Sequence, residues 1–114
     1  MKLIDVLNMA NELHQFSQKE ILLPYIVART INKNMIALEE ERKLFETQRS
    51  ILAKDYDDKN DEEKAIIDKK FQELLQTEVS IELDKIPENL ISNDDSLRLT
   101  MKDIAILSKF YMED

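Results

Sequence analysis

Histidine, the side chain that most readily moves protons near neutral pH, occurs once in this 114-residue chain, at His14. It stands without a second histidine, and the chain contains no cysteine. A metal first shell would have to be completed by carboxylates, and the plainer role for His14 is a residue at the edge of an apolar face. Adjacent acids occur at Asp57-Asp58, Glu62-Glu63 and Asp94-Asp95. Neighbours on a helix point in different directions, and on a turn such residues usually cap helices. Acid–base catalysis needs two carboxyls whose environments push their pKa values apart. Nothing in the spacing supplies such an environment. The absence of glycine removes phosphate-cradling loops, the dinucleotide fingerprint, the nucleophile elbow and the glycine-containing calcium loop together. No catalytic residue, cofactor or metal site is expected.

Elements that could position such groups are mostly helical. Leu3, Val6, Leu7, Ala10 and Leu13 recur at three- and four-residue steps, which predicts an amphipathic helix over roughly Leu3 to Phe16. Ile21-Leu22-Leu23 runs into Pro24 and predicts an extended piece, since a residue before proline is pushed from helical geometry. From Pro24 to about Tyr56, the residues Ile31, Met35, Leu38, Arg42, Phe45, Arg49, Leu52 and Tyr56 alternate steps of four and three. This is a heptad seam with two arginines at core-type positions. The helix would be roughly 45–50 Å long, so it must project or pair along its length. Arg42 and Arg49 either set register or lay their stems over the stripe with their heads in water. Glu63, Asp68 and Glu73 on a facing helix are candidate ion-pair partners.

Asp57-Asp58-Lys59-Asn60 predicts a polar turn, and Asn60 with Glu63 has capping-box spacing. A helix from Asp61 to about Thr77 follows, with Ile67, Phe71, Leu74 and Glu78 spaced as a second seam and Ile66 and Leu75 beside it. A short turn between long helices implies an antiparallel hairpin. Val79, Ile81 and Leu83 then alternate with Ser80, Glu82 and Asp84, the spacing of a half-buried strand whose candidate mate is Ile21-Leu22-Leu23. Ile86-Pro87 to Ser96 predicts a loop or short helical turn. Thr100 with Asp103 predicts the cap of a final helix with Met101, Ile104, Ala105, Ser108 and Tyr111 on one face. The set Phe110, Tyr111 and Met112 predicts docking of the C-terminal end. The expected fold is therefore mainly α: a long antiparallel helical hairpin packed by N- and C-terminal helices, as one domain over 1–114. The alternating segment leaves room for a short two-stranded β-ribbon.

Net charge is −8. From Asp61 onward there are 14 acids against 7 bases, so nearly all of the excess lies in the second half. Phosphate binding draws on clustered Lys and Arg, and no direct nucleic-acid contact is expected. An acidic surface could instead imitate nucleic acid, although Lys59, Lys64, Lys69, Lys70 and Lys85 interrupt its rows. No stretch approaches the roughly 18 apolar residues of a membrane span. Met1 to Asp5 meets an acid at once, which argues against a signal peptide. The lack of cysteine suits a reducing cytoplasm.

The chain resembles a small phage- and prophage-encoded helical family of Gram-positive bacteria, domain of unknown function 1617. The resemblance covers nearly the whole length. It rests on Leu23-Pro24 opening the stretch Tyr25 to Asn34, then Leu38-Glu39-Glu40-Glu41-Arg42 and Phe71-Gln72-Glu73-Leu74-Leu75. Glu78 to Leu83 and the terminal Ile104 to Asp114 complete it. It implies phage or prophage expression in a bacterial cytoplasm and brings no activity or site residues. Together these readings lead to the expectation of a non-enzymatic phage protein acting by protein–protein interaction. It would be an adaptor or assembly factor that self-associates through the long helix. The candidate interface is Ile31, Met35, Leu38, Arg42, Phe45, Arg49, Leu52 and Tyr56. The alternative is an acidic inhibitor of a host defence or nucleic-acid enzyme.

Overall fold

The long seam buries its apolar side chains within its own chain. The computed structural model describes residues 1–92 and 97–111; Asp94-Asp95 and Met112 lie outside the described residues. Helix α1 spans Leu3–Ser17 and buries Leu3, Val6, Met9, Ala10, Leu13 and Phe16, close to the predicted face. Pro24 sets the N-terminal boundary of α2, Tyr25–Leu52, where its missing N–H leaves no bond unmade. A 3-10 turn, Tyr56–Asp58, leads to α3, Asp61–Leu75, which the Asn60 side chain caps by accepting the Glu63 amide at 2.8 Å. A four-residue turn of helix α4, Asn89–Ser92, precedes α5, Met101–Ser108. The fold is mainly helical, with a long hairpin packed by the N- and C-terminal helices.

The main core joins α1, the first half of α2, α5 and the segment before α4. Leu13, Val27, Leu38, Ile86, Leu107 and Phe110 are among its most buried side chains. The far half of α2 is covered by α3 instead, where Phe45 and Phe71 stack tilted with centroids 6.0 Å apart. The Tyr56 hydroxyl donates to Asp68 at 3.1 Å, and Lys64 lies over the Tyr56 ring, so the hairpin tip is closed by polar contacts. The extents of 57 × 28 × 21 Å and radius of gyration of 17.8 Å exceed the roughly 13 Å of a globular chain this long. The hairpin accounts for the difference.

The expected β-ribbon does not form. Val79, Ile81 and Leu83 do face inward while Ser80, Glu82 and Asp84 face out, as the alternation predicts. But their segment is fastened at its two ends and not along a mate. Near its start, Leu3 N–H donates to Thr77 O and Val79 N–H to Met1 O, each at 2.8 Å, around an isolated bridge between Lys2 and Glu78. At its far end, the buried Asn34 amide donates to Asp84 O at 3.0 Å and its oxygen accepts the Asp84 N–H at 2.8 Å. One side chain thus replaces a strand's two bonds. The Ile21-Leu22-Leu23 piece lies outside any helix or strand and, among the described residues, makes no backbone–backbone hydrogen bond.

The final helix starts where predicted but turns a different face inward. Thr100 and Asp103 form the reciprocal cap, Thr100 N–H to Asp103 at 3.0 Å and Asp103 N–H to Thr100 at 3.1 Å. Asp103 is also buried and accepts from Lys19 at 2.5 Å. Drawing that carboxylate inward rotates Ile106, Leu107 and Phe110 into the core and leaves Met101 89% exposed, with Ile104, Ala105 and Ser108 outside. Among the described residues, Asp55 at φ 59° and Arg98 at φ 51° take left-handed backbone. Asp tolerates this geometry, whereas an arginine there carries a steric cost that glycine would avoid.

Two stability outcomes follow from these fastenings. Asn34→Ala leaves the Asp84 backbone without partners and should lower unfolding stability by about 1–3 kcal/mol, read as a smaller urea midpoint at unchanged slope. Burial opposes ionisation of Asp103, but the hydrogen bonds from Lys19 and from the backbone and hydroxyl of Thr100 outweigh it and hold the carboxyl below its ordinary value. A depressed folded pKa contributes stability that is complete above about pH 4 and is lost as pH falls through the folded value. Asp103→Asn should therefore flatten the stability curve specifically on its acid side.

Candidate interaction surface

Helix α2 has two apolar faces, and only one of them is covered. On the covered face Ile31, Leu38 and Phe45 are buried, Met35 packs half-buried against the core, and Leu52 and Tyr56 are half-buried towards the tip. This overturns the expectation that the seam is an outward interface. Its apolar residues already have partners in α1, α3 and the core, and engaging a second chain through them would require opening the hydrophobic cluster. The two arginines lie at the seam's edge with their heads accessible. Each pairs on its own helix, Arg42 with Glu39 at 2.7 Å and Arg49 with Glu46 at 3.2 Å, and not with Glu63, Asp68 or Glu73. Three residues along a helix brings the charges together without help from the fold.

The opposite face is open. Ile36, Leu44 and Ile51 are 55%, 58% and 66% exposed, and Tyr25 and Ile26 continue the surface at the N-terminal end of the helix. Leu22, on the extended piece just before, is 94% exposed. Ile26, Lys33, Glu40 and Thr47 step by sevens along this face, with Ile36, Leu44 and Ile51 beside them. The periodicity was available in the sequence. Lys33 and Glu40 interrupt it in two consecutive layers and hide it beside the more continuous apolar seam.

Two of the clefts that border α2 bring side chains from other parts of the chain against it. One, of about 240 Å³, is lined by Phe16, Ile21, Leu23, Ile31 and Met35 with Lys19 at its rim. The other, of about 310 Å³, is polar and lies among Asn11, His14, Glu39 and Arg42. Hydrogen bonding from Arg42 chiefly lowers the Glu39 pKa, against a smaller opposing effect of burial, with Arg42, His14 and Lys43 adding favourable charge. A general acid or base works best when its pKa sits near the working pH. This cluster does the reverse and keeps its carboxylate ionised. Among the described residues, no group of three or more His, Asp or Glu is placed to hold a metal ion. No described helix is long and apolar enough to cross a membrane.

Comparison with protein-family models, curated proteins and solved structures finds no match to the chain.

The Glu39–Arg42 pair makes a direct expectation. In Arg42→Ala the Glu39 carboxyl should titrate upward, towards the ordinary carboxylate range, when followed by NMR on the side-chain carboxyl carbon. An unchanged midpoint would assign the shift to other charges around Glu39.

Proposed function

We propose that the protein is a non-enzymatic binding protein, an adaptor or assembly factor, whose contact surface is the outward face of α2. The observation that carries this reading is the row of exposed Ile26, Ile36, Leu44 and Ile51 on a helix whose other face is already packed. Large aliphatic side chains held in water along one rigid helix favour burial against a partner, at roughly 25 cal/mol for each Å² of apolar surface covered. A helix face of this kind engages a groove or another helix through anchors one or two turns apart. The proposed setting, a phage or prophage protein in a bacterial cytoplasm, draws support from the sequence resemblance.

A second reading has its own observation. Asp55, Asp57, Asp58, Asp61, Glu62 and Glu63 are all exposed around the hairpin tip, away from the main core. Such a tip could enter the basic cleft of a nucleic-acid enzyme. A complex of that kind weakens steeply with added salt, whereas one built on the α2 face does not.

The test compares affinity capture by the tagged wild-type chain and by an Ile36→Glu/Leu44→Glu variant, using phage-infected or prophage-induced cells. Both positions are exposed, so the variant should keep its helical circular dichroism and melting temperature. A protein retained by wild type and lost by the folded variant is the expected result. Equal capture by both removes the α2 face as the contact surface, and loss of capture on neutralising the tip acids would favour the inhibitor reading.

A further inference from the structure

The exposed apolar residues along α2 fall on both sides of one position. Ile36 stands near the centre, with Leu22, Tyr25 and Ile26 on one side and Leu44 and Ile51 on the other. In a two-fold interface each residue meets a surface patch that its own copy presents on the other side of the axis. Turned end for end about Ile36, a second copy brings its Leu44 opposite Ala28, within about one turn of Tyr25 and Ile26, and its Ile51 towards Leu22. Ile36 meets its own equivalent at the axis.

Charge on the same face favours that orientation. Lys33 and Glu40 flank Ile36 at three residues before and four after, so the antiparallel arrangement sets each lysine against the glutamate of the other copy. Parallel pairing in register would superpose lysine on lysine and glutamate on glutamate, which is destabilising. Glu40 has no ion-pair partner within the chain among the described residues. Lys33 has only a loose one, Asp84 at 3.7 Å, with both side chains more than half exposed. Arg29 and Lys43 also approach each other in this arrangement. Both are exposed and long enough to carry their heads into water.

We infer that the outward face of α2 binds a second copy of this chain, antiparallel, with the two-fold axis passing close to Ile36. This deepens the reading of the α2 face as a protein-contact surface and rests on it. The juxtaposition places apolar residues on both sides of the axis near one another and sets Lys33 near Glu40 of the other copy, with the heads of Arg29 and Lys43 turned to water. Charged residues between the anchors leave the apolar contact discontinuous, which places the affinity in the micromolar range, around 1–100 μM, and not with obligate dimers.

The chain has no cysteine, so a single introduced thiol reports on one contact. Ile36→Cys should form a disulfide-linked dimer under mild oxidation, because the axis brings the two thiols together. Ile51→Cys should not, since the antiparallel arrangement holds the two copies of that residue about 45 Å apart, far beyond the roughly 7 Å between Cα atoms that a disulfide spans. In the unmodified protein, light scattering should show mass rising from monomer towards dimer over about 1–500 μM. Lys33→Glu and Glu40→Lys should each weaken dimerisation roughly tenfold, and the double variant should restore it. A monomer throughout that range overturns the inference, as does a dimer that links as readily at Ile51→Cys as at Ile36→Cys. If the chain stays monomeric while capture of another protein still depends on Ile36 and Leu44, the second copy is excluded and the binding role of the face stands.

Discussion

Length matching along α2 is the constraint on which the rest of the structure depends. A 28-residue helix is about 42 Å long, and its seam needs cover along most of that distance. Neither α1 nor α3, at 15 residues each, can supply it alone. The chain solves this by placing α1, itself backed by α5, over the first half and α3 over the second. The change of partner comes near Phe45, which meets Phe71 of α3. This division gives the molecule its unequal ends: a core built from several elements, and a two-helix tip in which α3 has no fully buried side chain. Local opening in such a protein should concentrate at the tip, where few apolar contacts hold the helices together.

Polar side chains do much of the work that glycine turns and paired strands do elsewhere. Asn34 reaches from α2 to hold the backbone of Asp84, fifty residues on, and so presses the Val79–Leu83 stretch against the helices. Lys19, just after α1, reaches Asp103 and ties the last helix to the first connection. Both fastenings are buried or half-buried, where a satisfied polar group specifies one arrangement and an unsatisfied one is costly. The same two contacts explain where the alternating segment lies and which way α5 is rotated.

The surface left over has a corresponding logic. Once the seam is consumed internally, the face of α2 that remains free is the one whose large apolar residues alternate with charges. That mixture is compatible with a chain that persists as a monomer in water and also meets a partner. A continuous apolar stripe in the same place would favour non-specific association. The polar cluster of His14, Glu39 and Arg42 sits at the side of this face, and the Glu39–Arg42 pairing holds both of those groups ionised, so the contribution of that pair is charge and shape.

Local signals in the sequence marked the longer helices. The three- and four-residue steps fixed α1 and α2 to within a few residues, Pro24 fixed the start of α2, and Asn60 and Thr100 marked the caps of α3 and α5. Those signals are local, because a helix is closed by bonds between residues four apart and its caps by residues three apart. The tertiary structure decided everything that depends on which residues meet at long range. It turned the seam inward, redirected Arg42 and Arg49 to their own helix, and gave Val79–Leu83 a side-chain clamp in place of a partner strand. It also brought Asp103 under Lys19, rotating α5 away from the face that its apolar residues suggested. A period shows that a face exists. What covers that face is set by the distances at which the rest of the chain returns to it, and those distances are not written in any one segment.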